Sequence, residues 1–278
     1  MVEPTLFFSR CINAATLLNL VAADAAYTPM HWQRQCFPER LRAKIEVHPD
    51  GVDTESYHPH RRAPGALAAH GIPADAQVVT FAARGLESVR GFDLFMALAG
   101  RLAAARPGVH FAVVGGEETH YGWDRLFTGG RAFKDWVVER HVGDLARFHF
   151  LGTVEPPVLA DVLARSDLHV YLSVPFVPSW SLLNALSSGC LVLAGDTPPV
   201  REIIEPGRNG LLAPLFDTDE QARAALRALD DPAAHAPLRE AGRRLVEERY
   251  SLEVAVPALA DFFRRAAGSS SPHGGAVG

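Results

Sequence analysis

Between residues 77 and 212, short apolar runs alternate with stretches of helical periodicity, and this alternation constrains the fold most. The runs are Val78-Val79-Thr80-Phe81-Ala82-Ala83, His110-Phe111-Ala112-Val113-Val114, Phe148-His149-Phe150-Leu151, Leu168-His169-Val170-Tyr171-Leu172, Leu191-Val192-Leu193-Ala194 and Gly210-Leu211-Leu212. A strand that is apolar at consecutive positions has no polar face to offer water, so it must be covered on both sides. Helical spacing over 92–105 and a helix opening at 182–186 supply such covers. Strands alternating with helices make βαβ units, and these predict an α/β fold with a doubly wound, Rossmann-like parallel sheet. Three more helices are predicted over 217–229, 238–249 and 252–265.

Before residue 77 the signal is thinner. The spacing predicts a helix over 12–23, strands over 25–28 and 44–47, and a short helix over 31–37. His48-Pro49-Asp50-Gly51-Val52-Asp53 reads as a turn and a domain junction. About 47 residues precede it, fewer than an independent domain usually needs. The expected division is therefore a segment 1–47, a nucleotide-binding domain 48–250, a C-terminal helix 251–266 and a disordered tail 267–278. The Ser-Ser-Ser-Pro-His-Gly-Gly stretch of that tail cannot build a core.

At 278 residues, 48% hydrophobic and 21% charged, the chain has the composition of a soluble globular protein. Its net charge of -5 argues against a nucleic-acid partner. Cys11, Cys36 and Cys190 are odd in number and far apart, which fits neither a disulfide framework nor a zinc site and suggests a reducing cytoplasm. The twelve histidines show no metal spacing, and no metal or cofactor is expected. The apolar stretch over 12–27 is too short and too polar to span a bilayer, which leaves peripheral membrane contact open.

In an open parallel sheet, ligands bind in the crevice beyond the carboxyl ends of the strands. Three features fall there. Arg84 ends the first run and Arg90 opens the following helix; two guanidiniums at one crevice edge suit a diphosphate, and solvated surface arginines are an equal reading. Gly115-Gly116 ends the second run and lets a ligand approach the backbone, or simply turns the chain. Ser179-Trp180-Ser181 precedes a helix, where a serine caps the helix or helps to bind an anion. Trp180 reads as core before it reads as a ligand stack. No G-x-G-x-x-G follows any strand, so a nicotinamide fingerprint is absent.

In this order the features resemble glycosyltransferase family 4, with its two-domain GT-B fold. The resemblance rests on 25–28 with 45–53, Arg84-Gly85 to Arg90-Gly91-Phe92, 113–116, and Phe148-His149-Phe150-Leu151-Gly152. It continues through 166–172, 175–189, Asp196-Thr197-Pro198-Pro199-Val200-Arg201-Glu202 and 207–212. It implies a retaining transferase that uses a nucleotide-diphosphate sugar as substrate, with no obligatory metal. Arg84 and Arg90 would hold the diphosphate and form the catalytic pair. Ser179 and Ser181, at a helix start with Trp180 and Leu182, would complete the phosphate site. Gly116 and the backbone from Leu151 to Val154 would contact the donor. Phe176 and Asn184 stand where the family usually carries glutamates, near the donor sugar and on the ribose diol. The resemblance also implies an acceptor-side domain ahead of the junction, of which 1–47 would be a remnant. Acceptor recognition, whether of a glycan, a lipid or a small molecule, would then fall to a missing segment or a partner chain. A sugar transferase, a nucleotide-sugar-binding pseudoenzyme and a generic doubly wound nucleotide-binding protein all fit these features.

Overall fold

The computed structural model describes residues 4–140 and 143–269. They divide into two compact units, Met1–Gly51 with Leu252–Gly278, and Val52–Ser251. In chain order the first unit begins with α1 (Pro4–Ala22), β1 (Ala26–Thr28), α2 (His31–Gln35), α3 (Glu39–Arg42) and β2 (Ile45–Val47). The second unit contains β3 (Gln77–Gly85), α4 (Phe92–Ala105), β4 (Val109–Gly116), α5 (Phe133–Arg140), β5 (Phe148–Gly152), α6 (Pro156–Arg165) and β6 (Leu168–Tyr171). It continues with α7 (Trp180–Ser187), β7 (Val192–Gly195), α8 (Pro198–Arg201), β8 (Leu211–Ala213), α9 (Thr218–Asp230) and α10 (Ala236–Arg249). Helix α11 (Leu252–Ser269) returns the chain to the first unit.

The second unit is built on a parallel six-stranded sheet, ordered β5-β4-β3-β6-β7-β8. The order reverses between β3 and β6, which makes the doubly wound arrangement and places a crevice at their carboxyl ends. Side chains alternate across the sheet with period two. Val79, Phe81, Phe111, Val113, Leu168, Val170, Leu191 and Leu193 enter one core with α4, α5 and α9. Val78, Ala82, Ala112 and Val114 face the other side with Val162 of α6, and Tyr171, Val192 and Ala194 pack there with α7 and α10. This explains the unbroken apolar runs: both faces are core. Phe92, Phe95 and Phe111 are fully buried, each contributing about 1.5–3 kcal/mol by removal from water.

In the first unit, β1 and β2 pair in parallel. Lys44 donates to the carbonyls of Val21 and Ala23 at the end of α1, where a cation meets the helix's unpaired carbonyls. Tyr27 packs edge-on against Phe262 and Phe263 of α11.

The elements depart from the expected ones in several places. Helix α1 begins at Pro4 rather than at residue 12. Helices α3, α5, α6 and α8 were not anticipated; Pro156 and Pro157 open α6 as first-turn prolines, which need no N–H partner there. Helix α11 runs past residue 265 to Ser269 with Pro257 inside it, so residues 267–269 are helical and not tail. The rest of the expected tail, 270–278, lies outside the described residues.

Candidate functional site

The sequence candidates after β3 and β6 flank the switch point. Strand β3 loses register with β4 between Ala82 and Gly85, an irregularity of the kind that re-aims side chains at sheet edges. Arg84 lies there, exposed. Gly85 fits because a Cβ would collide with the carbonyl of Glu118. Residues 88–90 form one 3₁₀ turn, which ends at Gly91 in the left-handed region with φ 72°. A side chain at Gly91 would also collide with the carbonyl of Leu172, so only glycine lets the start of α4 approach the end of β6 this closely. The backbone N–H of Val174 donates to the carbonyl of Val89 at 3.0 Å and fastens the two arms together.

Arg90 is 7% exposed. Its guanidinium carbon lies 4.7 Å from the centre of the Tyr121 ring and 5.3 Å from that of Phe176. The two rings are 5.4 Å apart. Three nearly equal distances mean that the rings sit side by side as a wall against the cation, not on its opposite faces. Arg90 Nε and Nη1 are buried with no hydrogen-bond partner. Such an orphaned charged donor is costly without an acceptor.

The wall rests on a loop held by two fully buried carboxylates. Glu87 Oε2 accepts the backbone N–H groups of His120, Tyr121 and Gly122 at 3.1, 2.9 and 2.9 Å. Asp124 accepts the backbone N–H of Ser88 at 3.0 Å and its hydroxyl. Burial, with a smaller contribution from Asp124, pushes the carboxyl of Asp93 upward. Glu87, Tyr121 and Asp124 were not foreseen. The loop carrying the last two has no periodicity, and a lone glutamate before Arg90 gives no sequence signal.

Gly116 ends β4; its carbonyl accepts the N–H of Leu86 at 2.8 Å. A Cβ on Gly116 would lie 3.1 Å from Thr153 Oγ1, so the ends of β3, β4 and β5 converge here. Leu151 and Val154 are half-buried and pack on the core beneath. Ser179 is the N-cap residue of α7, but its hydroxyl does not cap; it bonds to Ser181 Oγ at 2.5 Å. Its N–H donates to the Tyr171 hydroxyl at 3.0 Å. Trp180 is 66% exposed, so the core reading is wrong for it. The side chain of Leu182 is fully buried, and its N–H donates to the carbonyl of Ser179. Asn184 is buried in α7.

The structure thus joins Arg90 to Phe176, Gly116 to the ends of β3 and β5, and Ser179 to Ser181. A separate cavity of about 360 Å³ involves Pro59, Gly189, Arg239 and Arg243. Gly189 lies just before β7, away from the strands' carboxyl ends. There Arg243 is already engaged by the carbonyls of Tyr57 and Ser187 and by Glu247. Among the described residues no group of three or more His, Cys, Asp or Glu side chains is placed to hold a metal ion. No described helix is long and apolar enough to cross a membrane.

Residues 76–231 match the family described as glycosyl transferases group 1, and residues 3–57 match a glycosyl transferase family 4 group. A D-inositol 3-phosphate glycosyltransferase of Saccharomonospora viridis is 30% identical over 222 residues, 78% of this chain and 49% of the relative. A phosphatidyl-myo-inositol mannosyltransferase of Mycolicibacterium smegmatis is 28% identical over 192 residues, 67% of this chain and 43% of the relative. The chain spans about half the length of these curated relatives. Among solved structures, Anabaena HepE in complex with UDP and glucose superposes with a TM-score of 0.77 at 19% identity, covering 94% of this chain and 68% of HepE. That likeness establishes the fold.

Proposed function

Because the chain belongs to the group 1 glycosyl transferases, we propose that it binds a nucleoside-diphosphate sugar at the carboxyl edge of its six-stranded sheet and supplies the donor half of a sugar transfer. The observation that carries this reading is Arg90, a nearly buried cation whose Nε and Nη1 have no acceptor at the switch point. A diphosphate supplies both the charge and the in-plane oxygens that a guanidinium fork pairs with. Arg84 stands exposed on the same arm, free to close over a second phosphate oxygen.

Transfer breaks the bond between the anomeric carbon and the β-phosphate oxygen and forms one from that carbon to an acceptor oxygen. The acceptor's proton leaves with the departing diphosphate. Charge gathers on the leaving oxygen, and fixed guanidiniums stabilise it without moving. Retention of configuration belongs to this proposal on the strength of the family resemblance, and the acceptor site is assigned to no residue of this chain. A second reading, a donor-binding module without transfer, is favoured by Phe176 and Asn184, which stand where the resemblance implies carboxylates.

Titration calorimetry with UDP, GDP and ADP tests the binding claim. At least one should bind with a dissociation constant in the micromolar range, about −7 to −8 kcal/mol. Absence of binding by all three would refute it. Release of free sugar or transfer from the matching nucleotide sugar then separates an active enzyme from a binding module.

A further inference from the structure

We infer that Glu87 is a positioning residue of the donor site: it fixes Tyr121 against Arg90 and so aims the guanidinium at the diphosphate. The inference rests on the reading of this crevice as a nucleoside-diphosphate site.

One residue holds both partners of the stack. The backbone carbonyl of Glu87 accepts the N–H of Arg90 at 3.1 Å and closes the turn that carries it. The side chain of Glu87 reaches the other way and takes three successive N–H groups, with that of Tyr121 at the centre. Asp124 returns the clasp, reaching from the loop to the N–H of Ser88 in the same turn. Loop and turn are therefore tied twice, in opposite directions, by two carboxylates that are 0% exposed.

This arrangement is expensive for the fold alone. Glu87 Oε1 is buried without a partner, and a buried carboxylate with an unpaired oxygen loses hydration that its remaining bonds recover only in part. An apolar residue would fill the position at a lower desolvation cost. What the carboxylate adds is a fixed ring. The face of Tyr121, beside Phe176, takes up the guanidinium's π surface and leaves Nε and Nη1 for ligand oxygens. A guanidinium free to rotate would have to be ordered on binding, and a prepositioned one does not.

The test uses the whole chain and compares UDP with uridine. Only UDP carries the phosphates that Arg90 would meet. Glu87→Gln keeps the shape and the one oxygen that accepts the three N–H groups, but it removes the charge they share and puts an NH2 donor where Oε1 is buried without a partner. It should weaken UDP binding about tenfold or more, while uridine binding, followed by saturation-transfer NMR, stays within about twofold. Tyr121→Leu should reproduce the loss, Tyr121→Phe should restore UDP affinity, and Glu87→Gln should add little once Tyr121 is leucine. Unchanged UDP affinity in Glu87→Gln, or equal losses for UDP and uridine, would overturn the inference. If Glu87→Gln does not fold, Tyr121→Leu decides: wild-type UDP affinity in that variant overturns it as well. If the wild-type chain binds none of UDP, GDP and ADP, the reading of the crevice falls and the inference falls with it; if it binds GDP or ADP instead of UDP, the same variants are read with that nucleotide and its nucleoside. If the wild type binds both and Glu87→Gln does too, only the inference falls.

Discussion

Replacing Arg90 with alanine should separate binding from stability. In the free protein Arg90 buries two guanidinium nitrogens without acceptors, each an unsatisfied group costing about 1–3 kcal/mol. It recovers cation–π attraction to Tyr121 and Phe176, worth about 0.5–2 kcal/mol per ring. The terms oppose each other, so Arg90→Ala should change folding stability by only about 1 kcal/mol, or roughly 2–4 °C in Tm for a domain of this size. Binding should respond differently. Two charge-assisted bonds to a diphosphate contribute about 1.5–3 kcal/mol each. Since they are not additive, we expect a loss of about 3 kcal/mol, somewhat more than a hundredfold in Kd. Arg90→Lys keeps the charge but not the planar fork and should recover only part of this. Calorimetric titration with UDP beside a thermal melt reads both quantities. A variant that loses many degrees of Tm yet binds UDP normally would refute the reasoning.

Asn184→Glu places a carboxylate where the resemblance expects one on the ribose diol. It should tighten UDP binding by about tenfold and lower the Tm of the free protein through burial of a charge, and equal UDP affinities would sink that account. His169 is fully buried, its Nδ1 bonded to Thr80 and its Nε2 unpartnered, and burial pushes its pKa down to about 3. A depressed histidine contributes stability that is complete above the unfolded value near 6.5 and is lost as pH falls below it. Urea unfolding should therefore show a drop of about 2 kcal/mol between pH 7 and pH 5, and His169→Asn should flatten it; an equal drop in both proteins would exclude His169 as the cause. Phe7, Ile12 and Leu18 of α1 are 55%, 60% and 70% exposed, so light scattering should detect concentration-dependent association that Ile12→Ser with Leu18→Ser abolishes; persistence of association in that variant would clear α1 of responsibility.

The central sheet was legible because its inner strands are buried on both faces, and runs such as Val78-Val79 and Val192-Leu193 between helical stretches fit a covered parallel sheet. The positions of Arg84, Arg90, Gly116 and Ser179 followed from the rule that such sheets bind ligands at their carboxyl edge. Helix α6 was hidden because Pro156 and Pro157 read as breakers, although proline is tolerated in a first turn. Trp180 was misjudged because a tryptophan beside buried leucines suggests core, whereas the first turn of α7 turns it outward. The wall of Tyr121 and Phe176 could not be read at all. It is made by two loops after different strands, the Tyr121 loop held by its N–H groups on the buried Glu87 and the Phe176 loop by the N–H of Val174 on the Val89 carbonyl, and neither loop carries a period.

The most direct measurement is a crystal structure of the chain soaked with UDP. The account predicts the diphosphate at the carboxyl ends of β3 and β6, with phosphate oxygens within about 3.2 Å of Arg90 Nε and Nη1 and the Tyr121 ring unmoved. A nucleotide bound elsewhere, or one at this edge with both Arg90 nitrogens still unpaired, would contradict it.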